Sequence, residues 1–456
     1  MKRRVSTALL VLQALVVALV IMLAAYVVAH GQNVQPATKS DGTKSDATKS
    51  DAASLAFDHV RFDKLRTDGF DALMNLDYDG AQARFSEMAQ AFPDHPGGPQ
   101  FLAATLWLKT LNSSRRLQSD IYNSDSFYEG EEDKVDPKLI GEFRDLTRQA
   151  RLLAEIRLKK NPNDVEALYF FGATEGLKSA FEAAVERRFF GALRDSKDSV
   201  ELHRKVLKLD PNYHDAEITI GMYDYIVGGL PWIAKQFVKA YASGGSKKRG
   251  IETLERVMRE GKWARDDARV LLIPLYKREK RFADAAVVSR ELATKYPRNY
   301  IFKLETADAL VSQAASLRAT DEAAATKIEQ EAFAAFESLL NERGPRGSSV
   351  RQLDQIHFQY GEALYTAGQM ERAAREFVAA SNVPTAESSL ATMAHLRAAQ
   401  SLDLAGRRAD ALTQYKAVLA RPDVYKAHEE AERGLKEPYR KHESATNGAD
   451  DAERKV

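Results

Sequence analysis

The sequence of 456 residues contains no cysteine. This excludes disulfide bonds, thiolate metal sites, cysteine nucleophiles and a lipidated N-terminal cysteine. An excess of charge of either sign is also missing, since 66 Lys and Arg residues stand against 65 Asp and Glu residues and leave a formal net charge of +1. A dedicated nucleic-acid-binding protein usually has a basic excess. The charge balance therefore argues against nucleic acid as the partner.

Motifs of common catalytic and metal sites are missing too. The strings HExxH, GxxxxGK[ST], GxGxxG and GxSxG do not occur, and the nine histidines are scattered singly. The segment that most resembles a phosphate loop is Ser243–Gly250, SGGSKKRG, but no strand is predicted before it. We therefore expect no catalytic residue, no cofactor and no metal ion, and we interpret the chain as not an enzyme.

The N-terminus combines a basic end with a long uncharged run. Lys2, Arg3 and Arg4 precede Val5–Ala29, which contains no charged residue. As a helix this run would reach about 37 Å, more than the roughly 30 Å of a bilayer's hydrocarbon core. Residues 1–31 are therefore predicted to be an uncleaved signal anchor, with a cleaved signal peptide as the alternative. In both cases the positive-inside rule predicts that the body is exported, and is periplasmic or secreted if the segment is cleaved.

Two further segments cannot supply a packed core. Residues 32–54 include the repeated tetrapeptide of Thr38–Asp51, TKSDGTKSDATKSD, and are predicted to be a disordered polar linker. Residues 423–456 are charged, and Glu437–Val456 lacks apolar periodicity. We therefore predict a charged C-terminal tail.

What the sequence does contain is a pattern that returns after roughly 34 residues. In Tyr78–Pro93 a small residue, Ala81, is followed by Phe85 and then by Pro93. The frame recurs as Ala285 with Pro297, as Ala373 with Phe377, and as Ala411 with Tyr415. Helices upstream carry a small residue on the packing face: Gly172, Gly221 and Gly361.

This pattern resembles that of tetratricopeptide repeat (TPR) proteins over most of Phe57–Ala420. In that family small residues let two antiparallel helices approach closely, and a proline ends the second helix. The resemblance implies an all-α fold, a TPR-type α-solenoid over residues 55–422. It would be a right-handed superhelix of about seven or eight helix pairs, with almost no strand.

The same resemblance implies where a partner would bind. In a TPR solenoid the first helix of each repeat lines the concave face, and aromatic and long cationic side chains there suit a peptide. On this sequence the family rule selects seven partner-binding residues: Tyr169, Met222, Tyr225, Lys277, Arg278, Phe358 and Tyr365. Packing against a neighbouring repeat is the alternative role for each of them.

A second, looser resemblance covers Ala216–Lys262 alone. The segments IGMYDYIVGGLPWIAK and GIETLERVMREGKW are similar to a eukaryotic TPR family linked to inclusion-body clearance and organelle membranes. This resemblance implies that Leu230–Tyr241 could contact lipid or a partner through Trp232, Phe237 and Tyr241, while a plain core helix is the alternative.

Taken together, these patterns predict a non-catalytic TPR scaffold of the cell envelope. It would mediate protein–protein interaction by holding a peptide or protein in its concave groove and would meet the membrane through its N-terminal helix. The alternative is a membrane- or lipid-associated factor that acts through residues 230–241.

Overall fold

The computed structural model describes residues 57–115, 117, 135–186, 188–230, 244–342 and 352–440. Within these ranges the protein contains α-helices, one short 3₁₀ turn at His214–Ala216 and no strand, so the all-α prediction is confirmed there. The helices are α1 His59–Met74, α2 Tyr78–Ala91, α3 Gly97–Ser113, α4 Pro137–Lys160, α5 Val165–Ala184, α6 Phe189–Leu209, α7 Glu217–Gly229, α8 Lys247–Glu260, α9 Arg265–Arg278, α10 Phe282–Lys295, α11 Tyr300–Leu317, α12 Glu322–Asn341, α13 Leu353–Thr366, α14 Met370–Ser381, α15 Ser388–Leu404, α16 Arg408–Leu419 and α17 Ala427–Lys436.

The described residues form two compact units, one up to Glu305 and one from Thr306 onward. In the first unit each helix from α1 to α10 packs against the next one along the chain. In the second unit the same holds from α12 to α17. A single repeat domain over residues 55–422 stays a prediction.

Within the units the helices pair as the TPR frame predicts. The turns that join α1 to α2 and α13 to α14 are three residues long, so these helices must run antiparallel. In the first pair a β-carbon on Gly69 would lie 2.3 Å from the ring of Phe85, and in the second a β-carbon on Gly361 would lie 2.7 Å from the ring of Phe377. Each glycine therefore makes room for the aromatic ring of the partner helix. The predicted antiparallel helix pairs are confirmed by this packing.

Several helices begin or end at residues that favour a helix start or stop. Helix α4 begins at Pro137, where the Asp136 carboxylate accepts the Lys138 N–H at 2.9 Å, and it ends just before Asn161. Helix α7 ends at Gly229, and Leu230 is already extended. A proline does not always end a helix in this protein, since α9 continues through Pro274.

The last helix departs from the prediction of a charged tail. Helix α17 forms within residues 423–456, and its small residues Ala427, Ala431 and Gly434 are buried. Because Gly434 lacks a side chain, the ring of Tyr415 in α16 can lie against its backbone. Small residues spaced at one helical turn supply this packing, although the helix is otherwise charged.

None of the helices in the described ranges is both long enough and apolar enough to cross a membrane. Other predicted segments lie outside the described residues: the signal anchor at 1–31, the linker at 32–54, and residues 231–243 with Trp232, Phe237 and Tyr241.

The glycine–aromatic contact predicts a measurable difference between two glycines. Gly69→Ala should lower the free energy of unfolding by about 1–3 kcal/mol, because its methyl group must displace the buried ring of Phe85. Gly141 lies inside α4 with no atom within 4 Å of an added β-carbon, so Gly141→Ala should stabilise by about 0.5–1 kcal/mol through helix propensity. Urea unfolding of both variants checks this, and equal effects at the two positions would contradict it.

Candidate functional site

The structure places most of the seven predicted partner-binding residues in the interior. Tyr169, Met222, Tyr225, Lys277 and Tyr365 are buried, whereas Arg278 and Phe358 are half-buried. The Tyr169 ring stacks on the ring of His203 with centroids 5.1 Å apart, and burial lowers the pKa of His203 to about 4.

Polar contacts hold several of the others in place. The Tyr225 hydroxyl donates to Glu279 at 2.8 Å, and the Lys277 ammonium lies 3.1 Å from Glu305. In the second unit the Arg397 guanidinium lies 4.1 Å from the ring centroid of Tyr365. Binding a partner through the buried side chains would require packed helices to separate. Their role in binding stays a prediction.

A contact between Arg66 and Trp263 joins α1 to a part of the first unit that is distant in the sequence. Arg66 projects from the buried face of α1, and its guanidinium carbon lies 3.3 Å from the ring centroid of Trp263, in the turn before α9. The guanidinium also lies 3.1 Å from the Asp63 carboxylate. Burial lowers the pKa of Arg66 to about 9, although the negative charges of Glu166 and Asp215 act to raise it.

This contact is energetically unusual. The Arg66 side chain is fully buried, and its three guanidinium nitrogens make no well-oriented hydrogen bond to the described residues. A buried charge of this kind is costly unless something compensates it. The stacked indole does so in part, because a desolvated cation–π contact stabilises by about 2 kcal/mol or more.

The Trp263 turn is itself held by Asp215. This buried carboxylate, in the 3₁₀ turn His214–Ala216, accepts backbone N–H groups from Lys262 at 2.9 Å, Trp263 at 3.2 Å and Ala264 at 3.1 Å. It thereby satisfies backbone donors of the turn that precedes α9. Burial raises the pKa of Asp215, and the three N–H groups oppose that rise.

A second set of contacts fixes the C-terminal end of α1. The Asn299 side-chain amide donates to the Met74 carbonyl at 2.7 Å, and the Arg298 N–H donates to the Asn75 side-chain oxygen at 3.3 Å. Together with Arg66 and Trp263, these bonds connect α1 to the turn that precedes α9 and to the turn that follows α10.

Between the two sets of contacts lies a cavity of about 500 Å³, which we call the α1 cleft. This volume falls within the range of protein sites that bind ligands. Its apolar and aromatic residues are Phe70, Met74, Trp263, Leu292 and Tyr296, and its polar and charged residues are Thr67, Asp71, Lys262, Arg265, Asp266, Arg269, Glu291 and Lys295.

Most charges on the α10 side of the cleft are paired with one another. The Asp266 carboxylate accepts hydrogen bonds from Lys295 at 2.5 Å, Tyr296 at 2.6 Å and Arg269 at 3.1 Å. Burial alone would raise the pKa of Asp266, but these partners hold it below its ordinary value. Arg269 also donates to Glu291 at 3.1 Å.

Sequence reasoning missed the α1 cleft because no motif marks it. Its two walls come from distant parts of the chain, and repeat periodicity carries no information about that contact. The segment Gly261–Arg265, GKWAR, does carry a signal, since it places one of only three tryptophans between two cations in a turn. No group of three or more metal-binding side chains occurs within the described ranges.

The buried carboxyl of Asp267 predicts a pH-dependent stability. Burial, and then the charges of Asp266 and Asp215, raise its pKa well above the ordinary value, and neither oxygen has a hydrogen-bond partner among the described residues. A raised native pKa contributes stability that is present at low pH and is lost as the pH rises through that pKa. Asp267→Asn should therefore exceed the parent protein in free energy of unfolding at pH 8 by about 1 kcal/mol or more, with the gap closing toward pH 4.

Asp266→Asn is the matched control. Asp266 is next to Asp267 in the sequence, but its pKa is lowered instead of raised. The ionised Asp266 stabilises the native state above its unfolded pKa, so this variant should be less stable than the parent at pH 8. Urea unfolding across the pH range measures both, and a pH-independent gap for Asp267→Asn would contradict the assignment.

Comparisons with known proteins address the fold alone. No protein-family model and no curated protein sequence matches the chain. Among solved structures it is similar to a human IFIT1 dimer with m7Gppp-AAAA, with 12% identity, a TM-score of 0.42, and 84% of this chain and 86% of that chain covered. It is also similar to a tetratricopeptide repeat protein from Parabacteroides merdae, with 13% identity, a TM-score of 0.29, and 74% of this chain and 99% of that chain covered.

Proposed function

We propose that this chain is a non-catalytic helical-repeat scaffold that binds a segment of another protein in the α1 cleft. The observation that carries the proposal is the cleft itself, a cavity of about 500 Å³ that is lined by aromatic, apolar and charged side chains. Aromatic anchors with a polar rim are typical of sites that bind protein segments.

The structure around the cleft supports this role. Contacts from the middle of α1, through Arg66, and from just after its C-terminus, through Asn75, hold the walls of the cleft in place. A site with fixed walls loses little conformational entropy when a partner binds. Among the acidic side chains of the cleft, Asp266 pairs with Arg269 and the Tyr296 hydroxyl, and Glu291 pairs with Arg269. Binding, rather than a reaction, suits these side chains.

The cellular location that we propose is the envelope, with the body of the protein exported. The support is the sequence of residues 1–31, in which three cations precede an uncharged run. N-terminal sequencing of the protein from a membrane fraction tests this, since loss of these residues would replace an anchor by a cleaved signal peptide.

The alternative, a lipid-associated factor that acts through residues 230–241, stays a prediction because residues 231–243 lie outside the described residues. Flotation with liposomes, using protein that lacks the residues before Leu55, tests it. Recovery only in the soluble fraction would count against lipid contact.

Site-specific photo-crosslinking in cells tests the binding function. Thr67 is exposed and lines the cleft, so a photo-reactive phenylalanine analogue there should crosslink to a partner protein. The same analogue at Val60 should not, because Val60 is exposed on the same helix but lies about 10 Å earlier along its axis. Met74→Trp should abolish the crosslink by filling the cleft.

Three results would contradict the proposal. They are equal crosslinking from positions 60 and 67, a crosslink that survives Met74→Trp, and a crosslink to nucleic acid instead of protein. A far-ultraviolet circular dichroism spectrum and thermal unfolding midpoint equal to those of the parent protein would show that Met74→Trp still folds.

A further inference from the structure

Two cations beside the α1 cleft form no ion pair with the acidic side chains that the structure describes. Lys262 and Arg265 are exposed and lie on either side of Trp263. The Lys262 ammonium lies 5.0 Å from the Trp263 ring centroid, and the Arg265 guanidinium donates to the Gly261 carbonyl. Neither forms an ion pair with an acidic side chain of the described residues, although Lys262 interacts electrostatically with Asp63 at longer range.

The acids of the cleft do not neutralise this pair. Asp266 is surrounded by Arg269, Lys295 and Tyr296, and Glu291 pairs with Arg269. These acids are therefore already compensated. Asp71 on α1 is the one lining acid for which the described residues supply no cation. The wall formed by the Trp263 turn is accordingly positive, and the wall formed by α1 carries one negative charge.

The apolar part of the cleft lies next to these cations. Met74 is half-buried, and Phe70 and Leu292 are buried beneath the surface. A ligand that reaches both regions would place an apolar side chain on this floor and negative charge against Lys262 and Arg265. Complementary charge of this kind increases specificity and association rate.

We propose that the α1 cleft selects an acidic protein segment, in which glutamate or aspartate residues flank an apolar or aromatic side chain. This inference rests on the proposed function and names the chemistry of the partner at the same site. The carboxylates contact Lys262 and Arg265, and the apolar side chain enters the cleft beside Trp263.

Fluorescence anisotropy with three labelled eight-residue peptides tests the selection. All three contain a central Phe-Leu pair, which is flanked by glutamates, by glutamines or by lysines. The acidic peptide should bind at least about tenfold more tightly than the neutral one, and the lysine peptide should bind most weakly. The preference should weaken as the salt concentration rises from about 50 to 500 mM, since exposed charges are screened.

Variants of the two cations assign the preference to them. The double variant Lys262→Glu with Arg265→Glu should reverse the order of the peptides, and the milder pair Lys262→Gln with Arg265→Gln should remove it. The matched control is Lys248→Glu with Arg259→Glu, since both residues are exposed on α8 and neither lines the cleft. This control should bind the peptides as the parent protein does.

The outcomes separate this inference from the proposed function. Equal binding of the acidic and neutral peptides, abolished by Met74→Trp, would overturn the acidic selection and retain the cleft as a protein-binding site. Failure of the acidic peptide to bind at about 1 mM would overturn the inference, while crosslinking from Thr67 would still decide the proposed function. Residues 122–133 contain an aromatic and acidic run of this chain itself. If deletion of these residues tightens peptide binding, that segment is the ligand of the cleft, and the proposal of a partner from another protein is overturned.

Discussion

The first unit depends on one buried contact, in which the guanidinium of Arg66 lies over the indole ring of Trp263. A repeat array is stabilised mainly by contacts between neighbours, but this contact joins the first helix to a turn far along the chain. It places a full charge where water cannot reach it, at a cost that packing and the aromatic ring must offset. The position of α1, and with it one wall of the α1 cleft, follows from that contact.

Hydrogen bonds from neighbouring elements fix the positions of both partners of this contact. Asp215 binds three successive N–H groups at the start of α9 and so fixes the Trp263 turn. At the C-terminal end of α1, the turn after α10 binds Met74 and Asn75. Between these two sets of contacts the charged residues of α9 and α10 neutralise one another, and the cations beside Trp263 remain available to a ligand. Stability and recognition thus share the same turn.

Local features of this fold could be read from the sequence, and distant contacts could not. The frame of Gly361, Ala373 and Phe377 identifies a helix pair because a missing side chain on one helix faces a ring on the next. The first and last residues of α4 follow from the capping Asp136 with Pro137 at its start and from Asn161-Pro162 at its end. The contact between Arg66 and Trp263 leaves no such trace, since neither residue belongs to a repeating pattern.

The sequence pattern also does not show which side chains a neighbouring helix covers, and this explains why most of the residues predicted for the concave face are buried. Aromatic residues such as Tyr169 and Tyr225 fit the family rule by their position in the frame, yet both are buried between helices. A frame position specifies the helix and the approximate side of it, but the neighbouring helix decides whether that side is open. The α17 helix shows the converse, since small residues in a charged segment were enough to bury one face.

A double-mutant cycle measures the central contact most directly. Arg66→Met and Trp263→Leu each keep much of the side-chain volume, and urea unfolding of the two single variants and the double variant yields their coupling free energy. A coupling of about 2 kcal/mol is predicted, because either change alone removes the cation–π contact. Additive effects, within about 0.3–0.5 kcal/mol, would show that the two side chains do not stabilise each other and would contradict the fixed position of α1.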